Sequence, residues 1–137
     1  MKELEYKHRI IGVMGALGFD VQAHEDKLYN FIPDLSFAFG GRDGWIEVKY
    51  AQRPPKTLGS ISHYTYGQQQ WLIDRGANGS GSCFLLVGTP DHNFLWRWDA
   101  LATARVMLWD DAVTRCVVEP EKSIHSICNF LVCDIST

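Results

Sequence analysis

The 137 residues carry 46% hydrophobic and 12% aromatic side chains, with a formal net charge of −3 at pH 7. That composition excludes a disordered tail and fits one domain over residues 1–137 with a core of its own. It also excludes a protein that grips long duplex nucleic acid by overall charge, so any such contact has to come from a local patch.

Residues 3–17 place Tyr6, Ile10, Val13, Met14 and Leu17 at helical spacing, and Gly18 stands where a helix would stop. Gly12 and Gly15 each weaken that helix by about 1 kcal/mol relative to alanine, and suggest close approach of another backbone. Residues 19–24 alternate as a short strand, and Leu35 to Phe39 follows Pro33 as a second. The run Gly40-Gly41-Arg42-Asp43-Gly44 reads as a tight turn into a third strand over residues 45–50, giving a hairpin.

A loop with Pro54-Pro55 and Gly59 leads to a helix over residues 66–75, with Trp71 and Leu72 on its apolar side. Residues 83–87 form a nearly continuous apolar run, which predicts a buried strand, and residues 94–98 pair with it. Asp99 is placed to cap a short helix through Arg105. Residues 107–118 fit a helix or an irregular strand, and residues 123–133 fit a helix with Ile124, Ile127, Cys128 and Leu131 on one face. The order is helix, three strands, helix, two strands and further helices, which predicts a mixed α/β domain built on a sheet.

Cys83, Cys116, Cys128 and Cys133 form no CxxC pair, which argues against a zinc site and for reduced thiols in a cytoplasmic setting. Met1-Lys2-Glu3-Leu4-Glu5 is charged and reads as no signal peptide, and no apolar run of about 18 residues predicts a membrane span.

Chemistry concentrates in Pro33-Asp34 and Trp45-Ile46-Glu47-Val48-Lys49. Side chains alternate along a strand, so Glu47 and Lys49 share one face while Ile46 and Val48 take the other. If the two strands form the hairpin, Asp34 lies beside Glu47 and two carboxylates converge with an ammonium nearby. Mg²⁺ takes hard oxygen ligands, commonly one or two carboxylates with several waters, and the Val48 carbonyl would add a third protein oxygen. Lys49 would then orient a water or offset charge growing on a phosphate. Each half of the pattern also has an ordinary reading, as a solvated strand face and a strand-opening turn. The apolar setting of Trp45, Ile46 and Val48 weighs against that, because an acid flanked by core residues needs a partner.

Pro33-Asp34 followed by Glu47-Val48-Lys49 resembles the signature of the PD-(D/E)XK nuclease superfamily. The likeness is closest to its small single-domain VRR-NUC-type and Holliday-junction-resolvase-like members, many of them phage-encoded. It covers about the first ninety residues and implies a restriction-endonuclease-like fold: a central mixed sheet flanked by helices, with an α-β-β-β-α-β core. It also implies a glutamine on the helix after the Glu-x-Lys strand, where Gln68 matches best and Gln69 and Gln70 are rivals. A further acid on the first helix is implied too, with Glu5 ahead of Glu3; Glu25, at the strand exit before Pro33, is a third choice.

The stretch between Glu47 and Asp74 holds no acidic residue but carries Lys49, Arg53, Lys56 and His63, with Tyr50, Tyr64 and Tyr66 interleaved. Arg53, Lys56 and His63 would contact phosphates, and Tyr64 and Tyr66 would stack on unpaired or distorted bases. His24, His63 and His92 have no ligand spacing and read as structural or surface residues. The tryptophans read mostly as core, although Trp96 and Trp98 fall on one face of a strand. That pair, if exposed, or the apolar C-terminal helix, would make a dimer face. The expectation is a Mg²⁺-dependent DNA endonuclease, with Mn²⁺ able to substitute, acting as a homodimer on branched or structured DNA in the cytoplasm (the host's, if phage-encoded). The alternative is a non-catalytic nucleic-acid-binding module of the same fold.

Overall fold

Two glycines in succession set the geometry of the central hairpin. Gly40 and Gly41 have φ of +61° and +83°, the pair of positive values that a two-residue turn of the hairpin type demands. The turn joins β2 (Leu35–Phe39) to β3 (Arg42–Tyr50) and opposes Phe39 to Arg42 and Leu35 to Ile46. Strand β3 therefore starts three residues earlier than the alternation suggests, because Arg42 and Asp43 pair with β2 rather than lying in the turn.

A computed structural model describes residues 1–24, 31–79 and 81–136, with side chains through Cys133. Helix α1 (Glu3–Ala16) precedes β1 (Asp20–Ala23), and Gly18 ends it with a φ of +97°. Gly12 and Gly15 admit no close neighbour, so they do not serve the backbone approach their position suggests. After β3 come α2 (Tyr66–Asn78), β4 (Cys83–Gly88), β5 (Asn93–Arg97), α3 (Trp98–Ala104), α4 (Trp109–Val113) and α5 (Ile124–Ser136). The five strands lie in the order β1-β2-β3-β4-β5. Among the described residues only β3 and β4 run parallel, as the intervening helix α2 requires.

The sheet divides two cores. On one side, Ile46, Val48, Phe84, Leu86 and Leu95 meet Tyr6, Ile10 and Met14 of α1 and Ile127, Cys128 and Leu131 of α5. On the other, Cys83, Leu85, Val87 and Trp96 meet Leu72 of α2, Leu101 and Ala104 of α3, and Trp109 and Ala112 of α4. Trp45, Glu47 and Lys49 alternate onto this second side, so Glu47 and Lys49 share a layer with α2.

Three expectations change here. Asp99 lies inside α3, whose N-cap is Arg97, and its carboxylate pairs with the Arg97 guanidinium at 2.9 Å, which lowers its pKa. Trp96 and Trp98 form no exposed pair: Trp96 is fully buried, with its indole N–H on the Ala112 carbonyl at 2.8 Å, while Trp98 opens α3 and packs on Gly76. Ile127, Cys128 and Leu131 of α5 pack into the first core instead of standing free. Residues 107–118 become the short helix α4 with turns around it. Among the described residues, no helix is long and apolar enough to cross a membrane.

Candidate active site

Backbone pairing between β2 and β3 stops at Leu35 and Ile46, and the next pair of residues is Asp34 and Glu47. Their side chains take over from the ladder. The Val48 N–H donates to Asp34 Oδ2 at 3.0 Å, and the Asp34 N–H donates to Glu47 Oε1 at 3.1 Å. The N–H and C=O of a strand residue point the same way, so the Val48 carbonyl lies on the Asp34 side of β3.

Two ammonium groups attend the carboxylates. Lys49 Nζ lies 3.0 Å from Glu47 Oε2 and donates to the His63 carbonyl at 2.9 Å. Lys7 of α1 brings its Nζ to 3.7 Å from Asp34 Oδ1. Glu47 and Lys49 are 1% and 3% exposed and Asp34 is 8% exposed, so the cluster reaches solvent on its Asp34 side. Charges this deep hold together only when paired and hydrogen-bonded, and each is.

These donors fit a hard divalent cation. Each carboxylate accepts an N–H from the other strand, the Val48 carbonyl lies on the Asp34 side, and Mg²⁺ characteristically takes few protein oxygens and keeps its waters. Among the described residues, no group of three or more His, Cys, Asp or Glu side chains is placed to hold a metal, so the described acids at this place number two.

Other expected residues fall differently. Glu5 is exposed and pairs with Arg9 one turn along the helix. It sits two residues from Lys7, roughly 200° around α1, and so turns away from the carboxylates. Glu3, four residues before Lys7, shares its face and is half-buried. Glu25 lies outside the described residues.

Gln68 caps its own helix. Its amide oxygen accepts from the Thr65 N–H at 3.0 Å, while Thr65 Oγ1 accepts from the Gln68 N–H at 3.1 Å. The buried glutamine is Gln69, whose Oε1 accepts the Tyr64 hydroxyl at 2.9 Å. Tyr64 itself is buried and so cannot stack on a base. Burial pushes its hydroxyl pKa up, Arg105 pulls the other way, and the Glu47 charge pushes further up. The Arg105 guanidinium lies 5.3 Å from the centre of the Tyr64 ring. His63 contributes its carbonyl to Lys49, at a φ of +65° rare for a side-chain-bearing residue. Its ring is exposed, as are Arg53, Lys56 and Tyr66.

Lys7 and Arg105 carried no sequence signal. Lys7 adjoins a core stripe but looks like any surface lysine, and Arg105 arrives from beyond β5 by tertiary packing. Further along the same sheet face, a cavity of about 540 Å³ is lined by Gln22, Ser36, Trp45 and Arg75, among others.

No known family model matches the chain, and no curated protein matches it. Among solved structures it is similar to Hjc of Archaeoglobus fulgidus, a Holliday junction resolvase from an archaeal hyperthermophile. The TM-score is 0.62 at 13% identity, over 93% of this chain and 95% of that one. The likeness is one of fold: a five-stranded mixed sheet with flanking helices, of the restriction-endonuclease-like type.

Proposed function

We propose that the chain is a divalent-metal-dependent endonuclease that hydrolyses phosphodiester bonds in branched or otherwise structured DNA. The observation that carries this reading is the meeting of Asp34 and Glu47 at the end of the β2–β3 ladder with Lys49 alongside. The likeness in fold to a Holliday junction resolvase supports the substrate class.

Asp34, Glu47 and the Val48 carbonyl would hold Mg²⁺, or Mn²⁺ in its place. The ion supplies Lewis-acid polarisation of the phosphate and lowers the pKa of water. Lys49 is fixed between Glu47 and the His63 carbonyl, so its ammonium stands ready to orient the attacking water and offset charge on the phosphate oxygens. Lys7 brings a second positive charge to the Asp34 side. Arg53, Lys56 and Tyr66, all exposed, would meet flanking phosphates and bases. Symmetric cutting of a junction takes two copies, so a homodimer on the DNA belongs to this proposal.

Purified protein with Mg²⁺ or Mn²⁺ is expected to cut a labelled four-way DNA junction, with products resolved on a gel. Glu47→Gln and Asp34→Asn are expected to lower the rate on the order of 10³-fold, the loss of several kcal/mol of transition-state stabilisation. Junction binding without cutting in either metal would point instead to a non-catalytic binding module of this fold. Neither binding nor cutting would sink both readings.

A further inference from the structure

Arg105 follows α3, in a part of the chain that supplies nothing to the carboxylate cluster. Its guanidinium lies over two rings, 5.3 Å from the centre of Tyr64 and 5.7 Å from that of Tyr66. Tyr64 is buried and directly follows His63, whose carbonyl accepts from Lys49 at 2.9 Å, so one residue of chain and one ring link the guanidinium to the amine beside Glu47. Tyr66 is 63% exposed and leaves the outer side open to solvent.

The position is built rather than incidental. The Gly59 N–H donates to the Arg105 carbonyl at 2.9 Å. A Cβ at Gly59 would stand 2.8 Å from Arg105 Cγ and 3.0 Å from its carbonyl oxygen, so the arginine occupies a notch that only glycine leaves. A guanidinium offers five N–H donors in a rigid fork. Here Nη1 is buried without a hydrogen-bond partner, and among the described residues no carboxylate pairs with Arg105. Arg105 is half-buried, and a fixed cation that no described carboxylate neutralises, beside the exposed Tyr66, suits a ligand with several acceptor oxygens. Phosphate is the group that the fork matches in two-point fashion.

We infer that Arg105, seated in the Gly59 notch against Tyr64 and Tyr66, is a phosphate-binding subsite that takes a backbone phosphodiester of the DNA strand beside the carboxylates. The inference rests on the nuclease reading above and extends it to the segment beyond β5. It makes Arg105 a substrate-binding residue, with Gly59 positioning it.

The test is equilibrium binding of a fluorescent four-way junction to the full chain in EDTA, by anisotropy across a salt series. Arg105→Gln is expected to weaken binding about tenfold at moderate salt and to reduce the slope of log K against log salt by about 0.9, the share of one phosphate contact. Arg105→Lys should keep most of the slope yet lose affinity, because an ammonium cannot make the two-point contact. Gly59→Ala should lose affinity with Arg105 still present. If the unaltered chain binds and Arg105→Gln matches it in affinity and slope, the arginine is only a strut between two rings and the inference is wrong, while the nuclease reading stands. If Arg105→Gln fails to fold by circular dichroism, Arg105→Lys decides, and unchanged affinity in that variant overturns the inference. If the unaltered chain binds no junction at all, the nuclease reading fails and the subsite with it.

Discussion

The Asp34 carboxylate accepts the buried Val48 N–H, so it is part of the strand pairing as well as of the proposed chemistry. Alanine there leaves a buried donor unmet, and Asp34→Ala is expected to cost about 1–3 kcal/mol of stability. Asp34→Asn keeps an acceptor and should melt close to the unaltered chain; equal losses in the two variants would contradict this. Gln68 separates in the opposite sense. Gln68→Ala removes half of a capping box and should cost about 0.5–1 kcal/mol while leaving the nicking rate unchanged, as thermal melts and a gel assay would show. Asp34, Glu47 and Lys49 were legible in the sequence because period-two alternation and a glycine turn fix both face and register. The glutamine was harder to choose because three stand together, and helix phase decides which is buried. Gln69, Leu72 and Gly76 form the buried stripe of α2, a spacing the sequence contains once Leu72 is taken as the anchor. Tyr64 was misread because loop residues reveal no period, and its burial comes from distant elements.

Elements were legible where a repeat of side chains had a turn at its end. Helix α1, strands β2 and β4, helix α2 and helix α5 follow the expected positions within a few residues. Helix α3 was legible to within a residue or two of its ends, expected through Arg105 and found over Trp98–Ala104; residues 107–118 were left open between helix and strand, because α4 has 5 residues, too few turns to show a face. What holds α3 is contact rather than pattern. Trp98 lies so close to α2 that a Cβ on Gly76 would come within 2.2 Å of its ring. Gly76→Ala is therefore expected to destabilise the fold by about 1–3 kcal/mol through overpacking, readable as a lowered denaturant midpoint. A neutral Gly76→Ala would mean that α3 shifts freely, and that α2 and α3 are not locked.

Across the whole molecule, burial leaves a titration signature. It pushes the thiol of Cys83 up to about 11 and those of Cys116 and Cys128 up to about 12, from 9.0. The buried Tyr6 and Tyr64 hydroxyls are raised as well. The folded chain thus keeps protons that the unfolded chain releases above about pH 9. This contribution to stability is complete below that pH and is lost as pH climbs toward 12. Melting temperature is expected to fall steadily above pH 9, and a flat profile to pH 11 would contradict it. At pH 8 a thiol reagent should label Cys133, the exposed cysteine, quickly, and the buried Cys83 and Cys128 only on unfolding.

The first and last helices of the fold lean on one another beneath the sheet, with Tyr6, Ile10 and Met14 meeting Ile127, Cys128 and Leu131. On a ribosome, α1 emerges well before the partner that shields its greasy side. The β2–β3 hairpin, closed by two glycines, has only near neighbours to find. Synthesis should therefore yield a paired hairpin early, with Asp34 and Glu47 already side by side, and leave Lys7 waiting until α5 leaves the exit tunnel.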